Sequence, residues 1–188
     1  MKQVLSIYEL SGRRTVLGGA ILGKEILAKL ITAVKSPPEP EAVLLDFKRV
    51  DVATGSFLRE AVLGYRNYCT RTQPDIYPVV ADANDVIIDE LDFLLKLNGD
   101  ALVVCALKSG NRVKSTRILG QLHEKQQLTF DAVLAAGETD AAALESQFRG
   151  SEQIQITGWN NRLSSLVAKG LLMEVRKGRS KVYRPVVE

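Results

Sequence analysis

Apolar runs and helical patterns alternate along the first hundred residues, and this order constrains the fold more than any other feature. The runs AVLLDF (42–47) and ALVVCAL (101–107) are almost continuously apolar, as in strands that are buried on both faces of a sheet. Between such runs, segments such as residues 20–35 repeat apolar side chains at helical spacing. Strands that alternate with helices form parallel β-α-β units, so we predict an α/β layer.

The predicted N-terminal elements follow this alternation. They are strands at 3–8 and 14–17, a helix at 20–35, a strand at 42–47, a helix at 56–70, a strand at 76–81, a helix at 85–97 and a strand at 101–107. The run SPPEPE (36–41) ends the first helix, because proline lacks a backbone donor. With 188 residues, of which 46% are hydrophobic, the chain is long enough to bury at least one core.

The pattern changes after residue 107. Residues 112–119 alternate like an edge strand or a linker, and three helices are predicted after them, at 122–136, 139–148 and 157–169. A two-stranded ribbon around residues 177–180 follows the third helix. We therefore predict two domains, an α/β domain at 1–110 and an α+β domain at 119–188.

The two halves of the second predicted domain differ in net charge. Residues 119–156 carry two basic and six acidic side chains, a net charge of −4, whereas residues 157–188 carry seven basic and two acidic ones, a net charge of +5. The whole chain has a formal charge of only +3. A locally cationic segment is typical of a surface that meets phosphates, although charges on a ribbon also prevent unwanted pairing of strand edges.

The predicted helix at 157–169 is amphipathic. Trp159, Leu163 and Leu166 fall at positions i, i+4 and i+7, so they are expected to pack on the two preceding helices. The opposite face carries short polar side chains that can hydrogen-bond to base edges, namely Thr157, Asn160, Asn161 and Ser164. Thr157 is alternatively a cap of the helix.

Cations cluster in the ribbon that follows Gly170, the expected stop of this helix. A glycine-containing turn lies among them, and from such a turn flexible cationic side chains reach phosphates or a minor groove. These cations are Arg176, Lys177, Arg179 and Lys181.

The string WNNRLSSLVAKGLLMEVRKGRSKVYRPV resembles the recognition helix and wing of a winged helix-turn-helix domain, of the kind found in bacterial MarR-like and ArsR-like regulators. The resemblance implies that this domain binds double-stranded DNA. A homodimer is expected, because two recognition helices that read two half-sites multiply affinity and specificity. The implied DNA contacts are Thr157, Asn160, Asn161, Arg162, Ser164, Lys169, Arg176, Lys177, Arg179 and Lys181.

The string VLLDFKRVDVATGSFLREAVLGYR (43–66) resembles part of a STAS domain, which is familiar from anti-sigma-factor antagonists. In those antagonists a serine at a helix start is the phosphorylation switch, and Ser56 occupies the matching position. The chain has Thr-Gly-Ser-Phe (54–57) where that family has Asp-Ser-Ser-Gly. The alternative is that Thr54 or Ser56 caps the helix, as Ser and Thr commonly do.

Motifs of enzyme active sites are missing from the sequence. It has no GxxxxGK[ST] loop, no glycine-rich dinucleotide fingerprint after a strand and no HExxH. Cys69 and Cys105 lie among apolar neighbours without a CxxC pair, so we expect reduced core residues and neither a metal nor a cofactor. His123 begins a predicted helix, where a solvated or capping role is expected.

These observations predict a transcriptional regulator that is not an enzyme. Its STAS-like domain would sense or assemble, with a possible protein partner, and its winged helix would bind double-stranded DNA. We expect it in the cytoplasm, because the sequence has no leader pattern and no run of about eighteen apolar residues. The alternative is a signalling scaffold in which both domains bind proteins, as an anti-sigma antagonist would. An enzyme with an unrecognised site is a third hypothesis.

Overall fold

A computed structural model describes residues 3–150, 154–178 and 180–187. Its strands are, in chain order, β1 (Gln3–Ser6), β2 (Val16–Leu17), β3 (Glu41–Asp46), β4 (Val52–Ala53), β5 (Ile76–Ala81), β6 (Ala101–Lys108), β7 (Arg112–Gly120), β8 (Leu172–Lys177) and β9 (Ser180–Pro185). Its helices are α1 (Ile7–Leu10), α2 (Ala20–Ala33), α3 (Gly55–Leu58), α4 (Gly64–Thr72), α5 (Asp85–Leu97), α6 (Glu124–Ala136), α7 (Ala141–Phe148) and α8 (Ile156–Ala168). A π-helical turn, Arg59–Leu63, joins α3 to α4.

Five strands form the central sheet, in the order β1-β3-β5-β6-β7. Neighbouring strands from β1 to β6 are parallel, and β7 pairs with β6 in the antiparallel direction. Two smaller sheets accompany it, a parallel pair of β2 and β4 and an antiparallel hairpin of β8 and β9. The protein is therefore a mixed α/β structure with a mainly parallel central sheet, as the alternation of strands and helices predicts.

The structure differs from the predicted elements near the N-terminus. The strand predicted at 3–8 ends at Ser6, because the Ser6 side chain accepts a hydrogen bond from the Glu9 N–H and begins the helical turn of α1. Residues 112–119 belong to an edge strand, since β7 runs from Arg112 to Gly120. The central sheet thus extends beyond residue 110, the predicted end of the first domain.

One face of the sheet is covered by α2, α4 and α5. Close approach is required between α2 and the start of the next helix, because a Cβ atom at Gly23 would lie 2.8 Å from the Glu60 Cβ and 2.9 Å from the Phe57 carbonyl oxygen. The core of this face includes Ile7, Leu30, Val43, Leu45, Phe57, Val80, Leu91 and Leu102. Val43 and Leu45 alternate along β3 with residues that point to the other face.

The opposite face is covered by the C-terminal helices and the β8–β9 hairpin. Its core combines side chains of the sheet with side chains of described residues that follow β7. Among them are Ala42, Leu44, Val79 and Val103 from the sheet, and Phe130, Val133, Trp159, Leu163, Leu166 and Leu172 from the C-terminal part. The two predicted domains therefore share one sheet, with a separate hydrophobic core on each face.

Polar contacts join the same two parts near the start of β5 and β6. The backbone N–H of Glu174 donates to the Tyr77 hydroxyl at 3.1 Å. The Asp100 carboxylate lies 2.5 Å from an Arg66 nitrogen of α4 and 3.2 Å from Lys169 Nζ, just after α8. The C-terminal part is thus held to the sheet by buried apolar contacts and by a shared ion-pair cluster.

Candidate nucleic-acid interface

Helix α8 has one buried face and one exposed face. Trp159, Leu163 and Leu166 are fully buried, as their spacing predicts, and the Trp159 ring lies 5.2 Å from the Phe148 ring, centroid to centroid. The four predicted base-reading residues are all exposed and lie at i, i+3, i+4 and i+7 of the helix. We call Thr157, Asn160, Asn161 and Ser164 the α8 stripe. The structure therefore brings these four side chains together on one solvent-facing surface.

The start of α8 is capped by other residues than Thr157. The residue that precedes the helix is Gln155, and the N–H of Ile156 donates to Glu145 Oε1 at 2.9 Å. Thr157 lies inside the first turn, so the capping alternative for Thr157 is wrong. Its side chain remains part of the exposed stripe.

Arg162 and Lys169 are not on the α8 stripe. The Arg162 guanidinium lies 5.1 Å from the centre of the Trp159 ring, and the residue is half-buried. Lys169 Nζ donates to the Gly99 carbonyl at 3.1 Å and contacts Asp100, and its side chain is only 17% exposed. Both cations of α8 are therefore engaged in contacts within the protein.

Asp100 is held in its charged form by its neighbours. Burial by itself would raise the pKa of the Asp100 carboxyl, but the hydrogen bond and charge of Arg66, together with Lys169, outweigh this effect and lower it. The carboxylate also accepts a hydrogen bond from the Ala101 N–H. Lys169 thus belongs to a stabilising ion-pair cluster at the start of β6.

The hairpin presents its cations on two different faces. Arg176 is directly opposite Lys181 in the β8–β9 register, so both side chains lie on the same face, which Tyr183 shares. Ser164 of the α8 stripe lies close to the Tyr183 hydroxyl. The face with Arg176 and Lys181 therefore adjoins the α8 stripe, whereas Lys177 points to the opposite face.

Two of these cations are already paired. Lys177 Nζ lies 2.5 Å from Glu138 Oε1, and Lys181 Nζ lies 2.9 Å from Glu174 Oε1. Arg176 is exposed and forms no ion pair within the described ranges. The predicted contact Arg179 lies outside the described residues.

A single β-bridge joins the hairpin to the helical part. Thr139, between α6 and α7, exchanges two backbone hydrogen bonds with Tyr183, of 3.0 and 2.8 Å. Burial raises the pKa of the Tyr183 hydroxyl, and Glu174 adds to the rise. The bridge therefore fixes the hairpin to the connection between α6 and α7.

Ser56 lies at a helix start that is already occupied. Thr54 is the capping residue, and its Oγ1 accepts hydrogen bonds from the N–H groups of Phe57 and Gly19. The N–H of Gly55 donates to Glu90 Oε1 at 2.8 Å. Because the Glu90 carboxylate holds this position, a phosphate on Ser56 would have to displace or repel it.

The β6–β7 hairpin is a basic surface that sequence reasoning missed. Lys108 is directly opposite Arg112, and Lys114 follows at a bulge. All three are exposed, and none forms an ion pair with a described residue. One signal was available, because residues 101–123 contain no acidic side chain.

Both cysteines and the histidine have structural positions. Cys69 and Cys105 are buried and unbridged, as expected, and burial raises the pKa of the Cys69 thiol to about 11. His123 precedes α6, and its N–H donates to Gln126 Oε1. In the described ranges, no group of three His, Cys, Asp or Glu side chains has a metal-binding arrangement, and no helix combines the length and the apolar character needed to cross a bilayer.

No protein-family model matches this chain, and neither a curated protein nor a solved structure matches it. Function is therefore inferred from the arrangement of residues alone.

Proposed function

We propose that residues 119–188 form a winged helix-turn-helix module that binds double-stranded DNA, and that the protein is a transcriptional regulator. The observation that carries this proposal is the exposed α8 stripe beside the hairpin face with Arg176 and Lys181. The order of three helices and a hairpin supports it, as does the Thr139–Tyr183 bridge, which joins the hairpin to the connection between α6 and α7.

In this function α8 enters the major groove. The amide groups of Asn160 and Asn161 can donate and accept together, which suits the edge of adenine. Arg176 and Lys181 contact the phosphate backbone and position the helix without reading sequence. A homodimer, which we also propose, places two α8 helices on half-sites one turn of DNA apart.

The N-terminal part is proposed to be a STAS-like sensing or assembly module that works in the cytoplasm. Its support is the parallel sheet with helices on one face and the resemblance around Ser56. A change in this module can reach α8 through the sheet and through the cluster of Arg66, Asp100 and Lys169.

The test is DNA binding by the full chain at several salt concentrations, with fragments selected from genomic DNA. We expect affinity to fall steeply with salt. Arg176→Gln should weaken binding to all sequences alike, whereas Asn160→Ala with Asn161→Ala should change the preference among sequences. Lys24→Gln, an exposed change on α2, is the control. Absence of salt-sensitive binding to any duplex would contradict the proposal.

A second candidate function is a protein-binding scaffold, and one observation favours it. Three large apolar side chains of α5 are exposed at positions i, i+7 and i+11. They are Val86, Phe93 and Leu97, with exposed fractions of 57%, 67% and 72%. Exposed apolar stripes of this kind are typical of protein interfaces. Sedimentation of the wild type and of Phe93→Ser tests it: an assembly that Phe93→Ser dissociates, without any DNA binding, would favour the scaffold.

A further inference from the structure

A cleft of about 770 Å³ separates the N-terminal module from the β8–β9 hairpin. One wall consists of residues 38–40 and the first residues of β5, and the other consists of the hairpin. Arg66 and Thr70 of α4, Glu138, and Val167 and Gly170 at the end of α8 also line it. The cleft is therefore bounded by both parts of the molecule.

The ion-pair cluster beside this cleft carries an excess positive charge. Arg66 and Lys169 share the single carboxylate of Asp100, and the three side chains are only 7%, 17% and 19% exposed. The Arg66 guanidinium also donates to the Ala101 carbonyl at 3.1 Å, but its buried Nε has no hydrogen-bond partner among the described residues. A buried cation that lacks full compensation is costly, so an added anion would be stabilising here.

A second guanidinium lines the same cleft. Arg184 is half-buried, and the described part of the chain offers it no ion pair. It lies opposite Met173 in the hairpin register, on the face of Lys177 and not on the face of Arg176. Arg176 and Lys177 line the cleft as well, so the hairpin contributes three cationic side chains to this wall.

Acidic side chains of the cleft are placed differently from these cations. Glu39 and Asp75 are exposed, on the wall formed by the N-terminal module. Glu138 is paired with Lys177, and Glu174 is paired with Lys181. Free carboxylates therefore lie on the exposed wall, while the least exposed lining charge is the Arg66 guanidinium.

We propose that this cleft binds a small organic anion, whose compact carboxylate or phosphate group is held by Arg66 and Arg184. Hydroxyl or amine donors of the same molecule face Glu39 and Asp75. Guanidinium groups suit such oxyanions because they donate parallel hydrogen bonds. Since the hairpin forms one wall, the bound anion would fix the hairpin against the sheet and act as an input to DNA binding; this last step rests on the proposed function.

The test measures thermal unfolding of the full chain with sodium phosphate or sodium citrate, against sodium chloride of equal ionic strength. Binding to the folded state raises Tm in a saturable way, whereas general salting-out stabilisation does not saturate. Saturation with phosphate alone indicates a phosphate-bearing ligand, and saturation with citrate alone indicates a carboxylate. Failure of both anions to give a saturable rise would overturn the proposal.

Variants locate the site. Arg66→Gln also breaks a buried ion pair and is expected to destabilise the fold, so Arg184→Gln is the informative change. It should weaken the apparent affinity for the anion about tenfold or more, the usual effect of losing a charged hydrogen bond. Lys24→Gln should leave that affinity unchanged. An equal affinity in Arg184→Gln would overturn the assignment.

The two proposals fail separately. Saturable anion binding by a protein that binds no DNA would support the cleft and contradict the regulator. Salt-sensitive DNA binding by a protein with no saturable anion effect would support the regulator and contradict the cleft proposal. If both occur, DNA affinity measured with and without the anion tests the input role, and an unchanged DNA affinity overturns that role.

Discussion

Two antiparallel hairpins carry many of the protein's cations, and they hold them differently. In the β8–β9 hairpin, Lys177 is paired with Glu138 and Lys181 with Glu174. In the β6–β7 hairpin, Lys108, Arg112 and Lys114 are exposed, and no described acidic side chain pairs with them. The hairpin that a charge count singles out therefore has part of its charge neutralised, whereas Lys108, Arg112 and Lys114 of the other hairpin are unpaired among the described residues. The number of cations in a segment of the sequence therefore does not give the number that are available to bind a ligand.

The reason lies in which segments meet in space. Residues 119–156 have a net charge of −4 and residues 157–188 have +5, so each alone has a strong sign. The fold places Glu138, from the acidic segment, against Lys177, from the basic one. Lys169 pairs with Asp100 of the N-terminal part, a carboxylate that it shares with Arg66. We expect paired cations to stabilise the fold and unpaired cations to bind a ligand. The following substitutions test this expectation.

The largest expected effect comes from Asp100→Asn, which removes the only carboxylate of a buried cluster. Leaving Arg66 and Lys169 without it should lower the free energy of unfolding by about 3–5 kcal/mol at neutral pH. Urea unfolding of the wild type and the variant measures this. Glu138→Gln, which breaks an exposed pair, is the matched control and should stay within about 1 kcal/mol of wild type.

The pH dependence of this difference has a defined sign. The folded-state pKa of Asp100 is lowered, so its stabilising contribution is present above the unfolded pKa of an aspartate. It is lost as the pH falls through the lowered folded pKa. The stabilities of wild type and Asp100→Asn should therefore converge at acid pH, and a gap that persists or widens there would contradict the assigned role of the carboxylate.

These contacts also show what could be predicted from the sequence. The continuous apolar run at 42–47 predicted a strand covered on both faces, and Leu44 and Leu45 are indeed buried in two different cores. Such a run does not reveal what covers each face, so the packing of residues 119–187 on the sheet was not predictable. Likewise, helical spacing placed Lys169 at the end of α8, but its partner Asp100 is 69 positions away in the chain.

The α8 stripe was predictable for a local reason. The side chains of an α-helix repeat every 3.6 residues, so the buried positions of Trp159, Leu163 and Leu166 determine which residues face outwards. No comparable periodicity reports on Arg162, whose half-buried position depends on the Trp159 ring beside it. Local periodicity thus identified the exposed face, and tertiary contacts decided which cations remain available.

The next effect in size compares Arg176→Gln with Lys177→Gln. Arg176 is unpaired within the described ranges and faces the side of the α8 stripe, so its loss should weaken DNA binding and reduce the salt slope of log affinity by about 0.9. Lys177 is on the other face and is paired with Glu138, so its loss should change the slope much less. Binding titrations over a range of salt concentrations measure both slopes. Equal reductions would contradict the assignment of the two faces.

A smaller effect is expected when a paired cation of the hairpin is released. Glu174→Gln frees Lys181, which shares the face of Arg176, and should raise DNA affinity by roughly twofold to fivefold at low salt. Glu138→Gln frees Lys177 on the opposite face and should leave affinity nearly unchanged. Both are measured by the same titrations. A larger gain in DNA affinity from Glu138→Gln than from Glu174→Gln would mean that the face of Lys177, and not the face of Arg176, contacts DNA.

The smallest effect tests whether the free cations of the β6–β7 hairpin have a structural cost. Lys108 and Arg112 are directly opposite in the register, and like charges in such pairs are destabilising. Lys108→Glu and Arg112→Glu should each raise the free energy of unfolding by a few tenths of a kcal/mol, because each turns repulsion into attraction. The double variant restores two like charges and should lose that gain, so urea unfolding of all four proteins yields a coupling energy. If the changes in the free energy of unfolding are additive, the two side chains do not interact. The two hairpins would then differ in the exposure of their cations and not in the energy of their charge interactions.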